Sequence, residues 1–198
     1  FVEDNLKFFV LALLNSKVTD AFIQFVSPTL NYEVGHIKTI PVVLTEKNAA
    51  ITELSLSSIL CSRNDWDSYE TSWDFKYHPL VNHINIDTDK PITVENSYKH
   101  WKSECEQRFT KLKANEEELN RIFIDIYGLQ DELTPEVLDK DITVHRIFDT
   151  KEDVPESMKG SAYIRTRRDE IVSLLSYAVG CMFGRYSLDT QGLAYAGG

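Results

Sequence analysis

The sequence predicts an α+β fold that is predominantly helical, with a small β segment near the start, a long central helix and a helical C-terminal part. Three observations predict it. Apolar residues recur at helical spacing over most of the chain, β-prone residues cluster between positions 31 and 44, and one helical pattern continues for more than 30 residues. With 42% hydrophobic and 26% charged residues, the composition is that of an ordinary globular protein with a buried core.

The first element is helical and interrupted. Apolar residues follow a three- to four-residue spacing up to Leu14, resume at Val18, and stop at Ser27-Pro28. Because Asn15-Ser16 interrupts the pattern, we predict two short helices or one helix broken at Asn15.

A β-prone segment follows, and then a second helix. Gly35 and Pro41 punctuate the β-prone segment and permit a turn and an edge position, so we predict a short strand or hairpin there. Thr45 is predicted to cap a helix from about Glu46 to Cys61.

Residues 63–85 have no clean period, and we predict an ordered loop. Within it, Asp65 to Asp74 combines four acids with Trp66, Tyr69 and Trp73. A carboxylate pair or a divalent-cation loop is one interpretation, although the regular alternate ligands and the glycine of an EF-hand are missing. The interpretation that we favour is that the three aromatic residues are apolar anchors of a solvated acidic loop.

The longest predicted element opens at Pro91 and Thr93 and ends at Gly128. It spans about 34 residues, or roughly 50 Å at helical rise, which is long enough for a spacer. Polar Asn115 lies within its apolar seam and is expected to fix the register of a partner helix, either the last helix or another chain. The seam positions alternate by three and four residues: Tyr98, Trp101, Cys105, Arg108, Leu112, Asn115, Leu119, Ile122 and Ile126.

The remaining chain is predicted to contain a strand and a last helix. Ile142 to Phe148 is the predicted strand, and Lys151 to Gly160 is a polar loop. A final amphipathic helix follows, with its apolar face at Ile171, Leu174, Leu175, Ala178 and Met182.

The net charge of −10 argues against a free-standing, non-specific nucleic-acid binder. Two groups of residues are nevertheless candidates for DNA contact. The densest basic cluster, at Arg165, Arg167 and Arg168, is suited to contact a phosphate backbone. The alternative is that these arginines lie at a solvated start of the last helix and pair with Asp169 and Glu170. The other group, on the β-prone segment, is Asn31, Tyr32, His36 and Lys38, for which the alternative is a turn at Asn31 and packing of Tyr32.

No catalytic, cofactor-binding or metal-ligating residue is predicted. The sequence has no Asn-Pro-Pro-aromatic loop, no GxSxG, no HExxH and no CxxC spacing. Its three cysteines favour reduced thiols, and it has neither a signal peptide nor an apolar run of about 18 residues. These features predict a soluble protein in a bacterial or archaeal cytoplasm. The two ends are those expected of an internal piece of a longer chain.

Several strings resemble the region that follows the catalytic domain in large adenine-specific DNA methyltransferases of BREX-type phage defence and related restriction-modification enzymes. They cover nearly the whole chain, and the last three are the most specific. The strings are LALLNSKV (11–18), SPTLNYEVGHIKTIPV (27–42), DWDSYETSWDF (65–75), EEELNRIFIDIYGLQDEL (116–133) and SYAVGCMFGRYSLD (176–189).

The resemblance implies a parent enzyme that transfers a methyl group from S-adenosylmethionine to the N6 of adenine in a defined sequence of double-stranded DNA. The cofactor and catalytic motifs then precede Phe1. The resemblance also implies that residues 1–45 end a target-recognition-like subdomain. The residue patterns divide the rest into three parts: 46–90 are a helix and the acidic aromatic loop, 91–130 are the spacer helix, and 131–198 are a loop, a strand and the last helix.

Two roles remain open for such a piece. In the first, it is a non-catalytic DNA-recognition and spacer region that works with the rest of the methyltransferase chain. In the second, it is a helical scaffold that docks other subunits of a defence complex. Neither role requires a membrane.

Overall fold

The computed structural model describes residues 4–26, 33–82 and 93–194, in which helices predominate over one two-stranded sheet, so the predicted fold class is confirmed. The elements are α1 (Asp4–Leu14), α2 (Lys17–Val26), α3 (Val34–Lys38), α4 (Asn48–Trp66), α5 (Pro79–Asn82), α6 (Val94–Tyr127), β1 (Arg146–Phe148), β2 (Ile164–Thr166) and α7 (Arg167–Met182). Short 3-10 turns lie at Asp139–Asp141 and Glu156–Met158.

The predicted interruption near Asn15 is confirmed, since α1 and α2 are separate helices. Asn15 Nδ2 donates to Leu11 O at 2.8 Å, and Ser16 Oγ accepts a hydrogen bond from Thr19 N. Side chains that bond to local backbone in this way end one helix and start the next. In the described ranges, no single helix has the length and hydropathy to cross a membrane; α1 and α2 meet those two criteria only jointly, as a pair bent by 62°.

The strand or hairpin predicted from the β-prone segment is wrong for residues 33–44. Val34–Lys38 is a short helix, and the described residues from Pro41 to Leu44 pair with no strand. Tyr127 replaces a neighbouring strand as their partner: its hydroxyl donates to Pro41 O and accepts from Val43 N at 3.4 Å. Local β-propensity was therefore overridden by a contact from α6.

Helix α4 is longer than predicted. The helix begins at Asn48, so Thr45 lies three residues before it, with Oγ1 accepting from Lys47 N at 3.1 Å, and it continues to Trp66. The predicted loop 63–85 therefore contains the end of α4 and, at 79–82, helix α5. The anchor role predicted for Trp66 and Trp73 is wrong, since they are 59% and 92% exposed, whereas Tyr69 packs inward.

Helix α6 confirms the prediction in length and in seam. It has 34 residues, and eight of the nine predicted seam side chains are buried, with Ile126 partly buried. Gly128 ends it at φ 67°, a left-handed conformation that favours glycine. Leu129 N donates to Ile124 O, and Gly128 N donates to Asp125 O, which is the pairing of a Schellman cap.

The chain forms two compact units, whose boundaries fall within α4 and α6. The first comprises the described residues up to 60 together with 112–137. Its core joins α1 and α2 to α4 and the C-terminal half of α6; for example, the rings of Phe9 and Phe123 meet edge to face at 5.5 Å. Asn120 is buried there and bonds to Lys17 N and Pro135 O.

The second unit comprises residues 61–111 and the described residues from 138 onward. Its sheet pairs β1 with β2 in parallel, with Arg146 opposite Ile164 and Phe148 opposite Thr166. The strand predicted for 142–148 is wrong in extent, because only its last three residues are extended and paired. Ile142 and Val144 are nonetheless fully buried.

Helix α7 is confirmed, and its buried face is the predicted one in part, since Ile171 and Leu174 pack against the core as expected. Leu175 and Met182, which were expected to pack inward, are 60% and 83% exposed.

The other inward positions of α7 belong to Glu170, Tyr177 and Gly180. These inward positions contact residues distant in the sequence or beyond the helix. Glu170 accepts from Trp101 on α6, and Gly180 lies against the ring of Tyr186.

Candidate nucleic-acid interface

The junction of β2 and α7 positions the predicted arginine cluster. Thr166 is the N-cap of α7, and the Asp169 carboxylate accepts from its N–H and its hydroxyl at 2.8 and 2.7 Å. This capping box fixes the first turn of the helix and lowers the pKa of Asp169, chiefly through the hydrogen bond from the Thr166 side chain. Arg165 therefore lies on the strand, whereas Arg167 and Arg168 lie in the first helical turn.

Arg165 points inward, not toward solvent. Its guanidinium pairs with the buried carboxylate of Glu170 and lies 4.5 Å from the ring centroid of Tyr69. Its side chain is only 21% exposed. Arg165 thus has little surface left for a phosphate.

Arg167 is more exposed but is also paired. It donates to Asp149 Oδ1 at 2.8 Å and lies over the ring of Tyr98. Asp149 also accepts from Lys102 and from the hydroxyl of Tyr98. Hydrogen bonds from Lys102, Arg167 and Tyr98 lower the pKa of Asp149 to about 2, so this carboxylate remains an anion and holds both cations.

Arg168 differs from its neighbours. It is exposed, and no hydrogen bond or ion pair within the described ranges involves it. Of the cluster, Arg168 therefore has the guanidinium most available to an external anion.

The second candidate group belongs to the first unit. Lys38 is exposed at the end of α3, and His36 Nδ1 accepts from Glu33 N at 3.3 Å in the capping box of that helix. Asn31 and Tyr32 lie outside the described residues.

Sequence reasoning missed a buried network in the second unit, which we term the polar ring. Its members contact one another in a closed circuit of hydrogen bonds, ion pairs and ring contacts: Asp65, Tyr69, Trp101, Arg108, His145, Arg165 and Glu170.

One side of the polar ring is centred on Asp65, whose side chain is 4% exposed. Arg108 on α6 donates to Asp65 Oδ1 at 3.3 Å. The backbone N–H of His145 donates to the same oxygen, and His145 Nδ1 lies 2.7 Å from Oδ2. The end of α4, the middle of α6 and the start of β1 are thereby joined through one carboxylate.

The other side is centred on Glu170, which is 1% exposed. Trp101 Nε1 donates to Glu170 Oε2 at 2.9 Å, and Arg165 occupies the other oxygen. Arg108 closes the ring, with its guanidinium 5.2 Å from the centroid of Trp101. A buried carboxylate needs such partners, so the polar ring specifies how α7 packs on α6.

The thiols near the polar ring are poor nucleophiles. Burial raises the pKa of Cys105 and of Cys61, which keeps both protonated at neutral pH. In the part of the chain that the structure describes, no group of three or more His, Cys, Asp or Glu side chains is arranged to hold a metal ion. Asp67, in the acidic loop, instead accepts a hydrogen bond from Ser72.

His78 is another buried polar group of the second unit. It is 1% exposed, precedes Pro79 at the start of α5, and accepts from Leu80 N through Nδ1. Burial lowers the pKa of His78 to about 4, so the ring is neutral. His83, the other histidine beside Pro79, lies outside the described residues.

The chain is similar in sequence to adenine-specific methyltransferases. Over almost its whole length it is homologous to a segment of adenine-specific methyltransferases of the BREX type, which confirms the resemblance stated above. No family model matches the chain.

Two relatives establish this. The chain is 43% identical over 190 residues to the adenine-specific methyltransferase PglX of Lacticaseibacillus casei (strain Zhang), and 31% identical over 188 residues to the adenine-specific methyltransferase BrxX of Escherichia coli O9:H4 (strain HS). The alignments cover 96% and 94% of this chain but only 14% of each relative. The chain therefore spans about one seventh of the length of the relatives that it matches.

Proposed function

We propose that this chain is a non-catalytic spacer region of a site-specific adenine-N6 DNA methyltransferase that acts in phage defence or restriction-modification. The observation on which the proposal rests is α6, a 34-residue helix whose seam is buried from Tyr98 to Ile122. At about 1.5 Å per residue it is roughly 50 Å long. A helix of this length is long enough to space other parts of an enzyme.

The methyltransferase part of the proposal follows from the relatives. Both are named adenine-specific methyltransferases, and the alignments cover 96% and 94% of this chain. S-adenosylmethionine and double-stranded DNA are then ligands of the whole enzyme, with the cofactor bound outside this segment. The buried thiols and the ion-paired carboxylates of the polar ring agree with a structural role for the segment.

Direct DNA contact is limited in this proposal to the exposed basic residues. Arg168 and Lys38 are exposed, and Arg167 is partly exposed beside Asp149. Each phosphate contact of this kind adds salt-dependent affinity without sequence information. The segment thus supports site-specific recognition chiefly by positioning other parts of the methyltransferase.

The experiment compares the full-length methyltransferase with a variant that lacks this segment. We expect the variant to bind S-adenosylmethionine normally in calorimetry and to lose site-specific binding in gel-shift titrations with target DNA. Loss of cofactor binding by a folded variant would refute the non-catalytic assignment, and unchanged site-specific binding would refute the role in recognition.

A scaffold that docks other subunits of a defence complex is the second candidate function, favoured by the net charge of −10 and by exposed apolar residues on α7. The variant Arg168→Glu separates the two functions. A DNA-contacting segment loses affinity for DNA at low salt, whereas a pure scaffold does not. Arg63→Glu is the matched control, since Arg63 is an exposed arginine on α4 that has no partner within the described ranges.

A further inference from the structure

The outward face of α7 has five exposed apolar side chains in one row, which we term the α7 stripe. They are Val172, Leu175, Val179, Met182 and Phe183, which are 57%, 60%, 50%, 83% and 80% exposed. A contiguous exposed apolar patch of this kind often marks an interaction site.

The spacing of the α7 stripe indicates the shape of its partner. Val172, Leu175, Val179 and Met182 are separated by three, four and three residues, which is the spacing of a seam between two packed helices. A shallow groove of about 550 Å³ runs along the same face and is lined partly by Phe183. Side chains from a second helix would fill such a groove.

The α7 stripe alone offers less area than a stable interface between separate proteins buries on one partner. A Val, Leu, Met or Phe side chain presents on the order of 100 Å², so that the stripe offers on the order of 500 Å². A stable interface between free proteins buries about 800 Å² on each partner. A covalently connected partner does not need this area, because a tether of short length gives an effective concentration of about a millimolar or more.

We infer that the α7 stripe packs against an amphipathic helix from the part of the methyltransferase chain that lies outside this segment. The inference rests on the proposed function. The relatives extend far beyond the matched region, which is 14% of each of them, so that they have ample chain to supply such a helix. The partner helix has apolar residues at alternating spacings of three and four.

The test uses the full-length methyltransferase with the photo-crosslinking residue p-benzoylphenylalanine at position 179. Irradiation is expected to crosslink position 179 to a peptide of the same chain that lies outside the segment. The crosslinked product should run at the mobility of the monomer in a gel. Leu175→Gln is expected to lower the docking equilibrium constant about tenfold or more, because one buried leucine is lost, and the crosslink yield falls with the docked fraction. Leu188→Gln, at a leucine that is 65% exposed off the stripe, is expected to leave the yield unchanged.

Four results would overturn the inference: a crosslink between two copies, a crosslink confined to residues 4–194, no crosslink at all, or equal losses in the two leucine variants. Methylation of target DNA, assayed on the same preparations, reports the proposed function separately. A crosslink to an outside helix in a protein that has no adenine methyltransferase activity would refute the proposed function and leave the docking surface standing.

Discussion

Replacing Arg108 with methionine removes a buried cation from the polar ring while keeping a long apolar side chain against Trp101. The side chains of Arg108 and Asp65 are 6% and 4% exposed. Without Arg108, the Asp65 carboxylate stays buried with His145 as its remaining partner. Removing one member of a buried ion pair costs about 3–5 kcal/mol. The Glu104 contact is also lost, but Glu104 is 46% exposed and its contribution is small.

The double variant Arg108→Met, Asp65→Asn isolates the charge. An amide keeps an acceptor for His145 N and carries no unpaired charge, so the expected loss is about 1 kcal/mol, close to that of one hydrogen bond. The two substitutions are therefore coupled by about 2 kcal/mol or more. Urea unfolding measures these losses, with tryptophan fluorescence as the signal, because Trp101 is buried in the polar ring.

Arg63→Met is the control, and its exposed side chain predicts a change within about 0.5 kcal/mol. A loss under about 1 kcal/mol for Arg108→Met would refute the argument. So would a double variant that is as unstable as the single one, since the cost would then come from lost packing instead of an unpaired charge.

Three further changes test other parts of the second and first units. Gly180→Ala places a Cβ 2.6 Å from Tyr186 Cδ2, so that we expect a loss of about 1–3 kcal/mol in thermal unfolding, and an unchanged midpoint would contradict this packing. Burial lowers the pKa of His78 from 6.5 to about 4, so the unfolded chain takes up the proton first as the pH falls. The free energy of unfolding is therefore highest above pH 6.5 and falls by up to roughly 3 kcal/mol toward pH 4. The variant His78→Asn should remove this pH dependence in urea unfolding. Burial, with a smaller effect of Glu117, raises the pKa of Glu116 from 4.5 to about 7, so the folded chain keeps that proton to a higher pH. The free energy of unfolding therefore falls as the pH rises from 4.5 to 7. Glu116→Gln should raise stability at pH 8 by up to roughly 3 kcal/mol, and an unaltered or lower value would contradict the burial of that carboxyl.

The helices with strong local signals were predictable from the sequence. Helix α6 has a sustained alternating period and a glycine that ends it, so that its length and its buried seam, including polar Arg108, followed from spacing alone. The break at Asn15 followed from local side-chain chemistry in the same way.

The β-prone segment and part of the buried face of α7 were not predictable, because distant contacts decide them. Tyr127, more than 80 residues away, bonds to Pro41 and Val43 in place of a strand. On α7, Leu175 looks like a core residue by spacing, but Glu170, which accepts from Trp101, takes an inward position and Leu175 faces outward.

Distant contacts also decide which residues of the candidate site are exposed, and the sequence alone does not predict them. Adjacent arginines in the sequence predict one basic cluster, but Arg165 lies on a strand and is partly buried beside Glu170, whereas Arg168 lies on a helix and is exposed. No sequence motif indicates the polar ring, because its members come from four distant stretches of the chain. Glycine within a helix, at position 180, was the one local signal that a close packing contact lay nearby.

A segment exchange tests the spacer assignment most directly. In the full-length methyltransferase, this segment is replaced by the matching segment of the Lacticaseibacillus casei relative, which is 43% identical to it. Sequencing that detects N6-methyladenine then identifies the DNA sites that the chimera modifies. We predict methylation at the target of the recipient enzyme, since a spacer positions the recognition elements without choosing the sequence. Methylation at the target of the donor would contradict the account, because the segment itself would then determine which DNA sequence is recognised.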